Sequence, residues 1–542
     1  MEEAELRGGS ADPVTNEEGR AADAGADMGA KLLEAAEGGD ADAMRTLLEH
    51  TAANPAVMLR LTDSKGSNAL MYAAHEGHLD IMRLLLDHPS ADHPAAMAMH
   101  ADSNGCTALM YAAQTVQGGH LDAMSLLLDH PSADPGAMMM LTNNRGWSAF
   151  MWAVWEGHVD AMRVLLDHPS ADSAAMAMHA DADGSTALMW AAAGSHVDAM
   201  RLLLDHPSAR AAAMMMHGGS SGKTALMLAV EKGHTDAVRL LLEHPSADPA
   251  AMTMLKNNGE WSALMWAAWI GHLDIMRLLL DHPSADHPAA MAMPADSKGT
   301  TALMLAAQEG HLDVMRMLLD HPACDPAAMT MQADSDGDTA LMVAAAGGHV
   351  DAMRVLLNHP SANPAAMMMH TADGGLTTAT TAAAQGGHLD ALRLLLDHPA
   401  SNAAAMLAVH TIAGKGSASA LLSAVVFAAS GPAVSMDAPS ASGVQALCWY
   451  CAPLLLLLRR IAVEPHPSRD QQVHMSKVME VMCDGLQSRK LLDDDQPDAV
   501  REECVRLLLL HGARFDFGSP AMVRVGRKLA SWAWRFAGTS QL

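Results

Sequence analysis

One pattern recurs along the 542 residues: Gly-His, an apolar residue, Asp and a Leu-rich run. Its histidine stands at His78, His120, His158, His196, His234, His272, His311, His349 and His388, and Asp40 holds the same place in a first, degenerate copy. The copies follow one another at 38 or 39 residues, with one interval of 42 between His78 and His120, where extra residues fall around 114–118. Ten copies at a fixed period describe an array of stacked units. A unit this short cannot bury its apolar face alone, so each must lean on its neighbours.

Within a copy, Thr107-Ala108-Leu109-Met110-Tyr111-Ala112-Ala113 reads as a short helix opened by a capping Thr. Gly-His then breaks the chain, because glycine is poor inside a helix and favourable at its end. A second helix follows, as in Leu79–His88, with Ile81, Met82, Leu85 and Leu86 at helical spacing on one face and Asp80 and Arg83 on the wet side. Pro89 stops it. The unit is a helical hairpin with one buried stripe on each helix.

These residues resemble the ankyrin repeat. Ser/Thr-Ala-Leu-Met-x-Ala-Ala opens the copies at Ser148, Thr186, Thr224, Ser262, Thr301 and Thr339, and the Gly-His and Leu-Leu elements follow at the family's distances. The departures are Ala for the motif Pro, Met for the motif His, and Pro-Ser-Ala-Asp for Gly-Ala-Asp. The resemblance covers about residues 29–410 and implies an all-α, ankyrin-type solenoid of about ten 38-residue helical-hairpin repeats, with degenerate repeats after it. It also implies a protein-protein interaction scaffold or adaptor that binds its partner on the concave face, through turn tips and the exposed ends of first helices. Carried onto this chain, the tip positions include Ser103, Asn104, Cys106, Arg145, Trp147, Asp183, Ser297 and Lys298. The helix-end positions are His75, Glu76, Trp155, Glu156, Glu231, Lys232, Trp269, Ile270, Gln308 and Glu309. Trp155 and Trp269 are the expected anchors, since exposed tryptophan is enriched at binding hot spots. Trp152 and Trp266 are expected to pack between repeats.

The period exceeds the family's usual 33 residues by about five. The surplus lies after the second helix, in Asp134-Pro135-Gly136-Ala137-Met138-Met139-Met140 and its copies from Asp248 and Asp325. Asp, Pro and then Ala/Met read as N-cap, first helical position and good helix formers. This predicts an extra helical turn where ordinary ankyrins place an extended hairpin arm. Residues 1–28 lack periodicity and are expected to be a disordered, acidic segment. Residues 411–542 are expected to hold degenerate repeats and a helical cap, with an insertion near 430–445 and a polar linker at 464–471; His511-Gly512-Ala513 looks like an ordinary ankyrin ending.

Charge narrows the partner. Lys plus Arg is 34 against 62 Asp plus Glu, a formal net charge of −28, which argues against nucleic acid and for a basic protein partner. The acidic excess lies in the first 410 residues, while 518–542 carry Arg524, Arg527, Lys528 and Arg535 and no acid. Six cysteines suit a reducing compartment, and Met1-Glu2-Glu3-Ala4-Glu5 is not the start of a leader, so a cytoplasmic or nuclear protein is expected. The apolar stretches 418–434 and 444–458 are interrupted and fall short of the ~20 residues a spanning helix needs.

Chemical motifs are weak. Gly218-Gly219-Ser220-Ser221-Gly222 matches a nucleophile elbow and Gly222-Lys223-Thr224 the end of a phosphate loop, yet other copies put Asp102–Thr107 and Asp334–Thr339 in that slot, which makes it a turn before a helix. Cys448-Trp449-Tyr450-Cys451 has no second pair nearby. No enzymatic activity, cofactor or metal site is predicted. Two further readings rest on other features. Soft-metal (copper) binding would use Met/His segments such as Met97–His100, Met176–His179, Met214–His217 and Met367–His370, since thioether and imidazole suit Cu(I). A membrane-associated regulator would use the basic, Trp-bearing C-terminal region.

Overall fold

The computed structural model describes residues 28–49, 58–88, 94–115, 120–208, 210–282, 295–372 and 377–400. The expectations for 411–542, and for 1–28 save Met28, lie outside these residues. The chain falls into two compact units, dividing between Asn258 and Gly259.

In both units the repeating element is three helices. In the unit ending at Asn258, one copy runs through Ala149–Trp155, Val159–Leu166 and Ser173–Met178. In the other, a copy runs through Ala302–Glu309, Leu312–Asp320 and Pro326–Met331. The expected third helix is present: Asp134 caps Pro135–Met140 by accepting the Ala137 N–H at 3.1 Å, with Pro135 in the first turn. The Met-rich segment is therefore helical. Extended pairing is confined, among the described residues, to isolated bridges such as Ala180 with Thr186 and Ala333 with Thr339.

First helices start at the predicted Ser and Thr positions, and one starts at Asn68, a cap outside the Ser/Thr pattern. Asn68, Thr107, Ser148, Thr224, Ser262 and Thr301 each accept the N–H three residues on. Thr186 and Thr339 stand in the same place without that bond. Glycine ends the first helix where the chain must turn through positive φ. At Gly310 φ is 73°, and an added Cβ would stand 2.8 Å from the His349 ring.

Within each unit first helices pack on first helices and second on second. The Ala, Leu and Met of the opening motif and the stripe Ile81, Met82, Leu85, Leu86 and its copies fill the core. Successive tip turns are also joined through the main chain. Ser103 N–H donates to Lys65 O at 2.8 Å, Asn144 to Asn104 O at 2.9 Å and Ala182 to Arg145 O at 3.0 Å in the first unit, and Ser335 donates to Lys298 O in the second at 2.6 Å. Arg83 lies 3.7 Å from Asp80 on the outer face of the second helix, and copies such as Arg277 and Asp274 repeat the pair.

Candidate partner-binding site

Tips such as those at Asp102, Asp181 and Asp296 are built around a side chain that closes its own turn. Asp102 Oδ1 accepts the N–H groups of Asn104 at 2.9 Å and Cys106 at 2.8 Å; Asp181 and Asp296 do the same for the residues two and four places on. The second carboxylate oxygen ties the turn to an aromatic ring. Tyr72 O–H donates to Asp63 at 2.8 Å, Tyr111 O–H to Asp102 at 2.7 Å, and Trp190 and Trp147 N–H both to Asp181, at 2.9 and 3.1 Å. In the second unit Trp261 N–H donates to Asp296 at 3.1 Å. The bond to Asp63, with burial adding to it, pushes the Tyr72 phenol up to about 12. Burial, then the bond to Asp102, raises Tyr111. Burial alone would raise the Asp63 carboxyl, but hydrogen bonds from Ser67 N–H, Tyr72 O–H and Lys65 N–H outweigh it and hold the group below its usual value.

Closing the turn this way leaves Ser103, Asn104, Arg145, Asp183, Ser297 and Lys298 exposed at the tips. Trp147 is not among them. Only 8% of it is accessible, because its indole N–H turns inward to Asp181 and its ring packs against Trp152, Trp155 and Trp190 at centroid distances of 4.8, 5.5 and 5.3 Å. Cys106, another expected tip contact, is buried at the same slot, and burial raises its thiol.

At the ends of first helices, Trp155 stays 40% exposed and Trp269 38% exposed. Trp155 stands 5.1 Å from Trp190 in an edge-to-face arrangement. Trp269 stands 5.7 Å from both Trp261 and Trp266, and its N–H donates to Glu309 at 3.3 Å. Trp152 and Trp266, half-buried, belong to these aromatic groups. Lys232 and Gln308 are exposed and Glu156 is half-buried. Glu231 is held in a half-buried ion pair with Lys223 at 2.8 Å, and His75 bonds Glu76 at 2.8 Å while its ring lies 5.8 Å from Tyr111. Both pairs already have partners within the chain.

The histidines form three series of bonds between copies, which a reading of one copy cannot detect. Those of Gly-His reach back about one period to the end of the preceding first helix: His234 to Ala193 O at 3.0 Å in the first unit, His388 to Ala346 O at 2.9 Å in the second; His196, which follows Ser195, makes the same bond to Trp155 O at 2.8 Å. Those ending second helices face the previous copy's aspartate, as His130 to Asp87 at 3.4 Å and His359 to Asp320 at 3.4 Å. Those of the Met/His segments, His100, His179, His217 and His370, donate from Nε2 to tip carbonyls of Gly66, Gly146, Gly184 and Gly337. Met214, Met215, Met367 and Met368 of those segments are buried. Among the described residues no three His, Cys, Asp or Glu side chains gather as a metal site, and no helix is long and apolar enough to cross a membrane.

The profile described as "Ankyrin repeats (3 copies)" matches residues 32–139, 96–176, 172–253, 210–290, 250–330, 285–368 and 324–406. No curated protein matches the chain. Ankyrin repeats generally mediate protein-protein interaction and are typically non-enzymatic. Capped first helices, Leu-rich second helices and a repeat profile that runs from residue 32 to 406 lead to one conclusion: the chain belongs to the ankyrin-repeat family.

Proposed function

We propose that this protein is a non-catalytic scaffold or adaptor that holds another protein against its tip turns and first-helix ends, with Trp155 and Trp269 as anchors. The observation that carries the reading is the exposure of these two indoles at the same slot of two copies, one in each unit, while Phe150, Met151, Val154, Leu264 and Met265 of the same helices are buried. Other large apolar side chains with comparable exposure, Met140, Met216 and Met254, end third helices instead. An indole fixed by neighbouring rings loses little side-chain freedom on binding, which makes it an efficient contact. The acidic excess favours a basic partner, attracted over a range of about 8 Å at physiological ionic strength.

The test is association kinetics with a captured partner across a salt series. The on-rate falls as salt rises, and Trp155→Ala or Trp269→Ala speeds dissociation about fivefold or more, as loss of a hot-spot contact worth above about 1 kcal/mol requires. An on-rate that ignores salt together with an off-rate that ignores both substitutions places the binding surface elsewhere.

A further inference from the structure

The tip before Trp261 breaks the rule of its neighbours. Where other copies carry Gly66, Gly105, Gly146, Gly184, Gly222, Gly299 and Gly337, all at positive φ, this one carries Glu260 at φ 62°. A non-glycine residue in that region is strained, and strain of this kind collects at sites of recognition. The residue retained there is an exposed carboxylate, the sequence neighbour of an aromatic group formed by Trp261, Trp266 and Trp269. A second carboxylate, Glu309, lies against the exposed indole of Trp269 and accepts its N–H.

We propose that this group in the second unit is a subsite for an arginine side chain of the partner. The inference rests on the partner-binding reading above and supplies its chemistry. A guanidinium is planar and weakly hydrated, so it stacks on an indole while its N–H groups fork to a carboxylate; an ammonium forms only the point-charge contact. Trp269 provides the ring and Glu309 the adjacent acceptor. Asp296, whose Oδ2 accepts the Trp261 N–H, fixes the floor of the group.

The test is calorimetric titration of the full chain with an acetylated, amidated Ala-Arg-Ala-Arg-Ala peptide and its lysine and citrulline counterparts. The arginine peptide binds about tenfold more tightly than the citrulline one, and the lysine peptide falls between them. Glu309→Gln and Trp269→Ala each weaken the arginine peptide by about threefold or more, the loss of one such contact. Glu309→Gln is a surface change that leaves folding intact. Equal binding of arginine and citrulline peptides overturns the arginine assignment, and if Trp269→Ala still weakens both, the binding face itself stands. A preference for arginine that survives all these substitutions, or no binding at millimolar peptide, also overturns it.

Discussion

Asp63 and Tyr72 show how one bond sets the behaviour of a tip. The phenol donates to the carboxylate at 2.8 Å, and its ionisation is pushed up to about 12. A folded-state value above the unfolded one means stabilisation that is whole below about pH 10 and lost as pH rises toward 12. Absorbance titration at alkaline pH should therefore show Tyr72 ionising later than a free phenol, and Tyr72→Phe should remove its share of the stability lost over that interval. A Tyr72 titrating with a free phenol's midpoint would contradict the bond. Asp63 works in the opposite direction, since its lowered value gives stability present above its ordinary 3.8 and lost as pH falls through the folded value. The caps and core positions at this scale could be read directly from the repeated residues. The burial of Trp147 could not, because the group that draws its N–H inward is Asp181, in the next copy of the repeat.

At the scale of the helix, the two sides of Leu79–Leu86 should respond differently. Leu85 is fully buried, and Leu85→Ala is expected to cost about 2–5 kcal/mol. Asp87→Ala removes only the contact to His130 and should cost less than about 1 kcal/mol. Equal shifts in denaturant melts would refute the assigned faces. Asp134→Ala should cost about 1 kcal/mol through the lost cap of the third helix, and Asp134→Asn should restore most of it. That helix was legible because Asp-Pro followed by Ala and Met is a start signal written into several copies. The roles of the histidines were not legible. Attraction to the helix dipole explains a histidine at a helix end, but the bonds from His196 to Trp155 O and from His130 to Asp87 depend on which copies stack.

At the scale of the molecule, units that touch mainly their neighbours should pass damage on only locally. Hydrogen exchange of the Leu85→Ala protein should show the greatest loss of protection in the copies beside Leu79–Leu86, and much less in the unit that begins at Gly259. Uniform loss along the chain would contradict the nearest-neighbour account. The fold was readable from the sequence because the same statement is made ten times. Which exposed positions bind was not readable, since exposed positions vary whether or not they bind, and the contrast between Trp147 and Trp155 depends on ring packing across copies.

The row of main-chain bonds between tips has a consequence for how such a gene changes. Because the joint is the same from Lys65 to Ser103 and from Arg145 to Ala182, copies within a unit can succeed one another. An unequal crossover that adds or removes one whole period leaves every junction chemically intact, so copy number is free to drift while the fold persists. Excision of residues 187–224, which joins Thr186 to Ala225 at equivalent caps, should leave a helical protein with a single cooperative melt. A deletion two residues shorter should put the tips out of step, and its melt should broaden and fall.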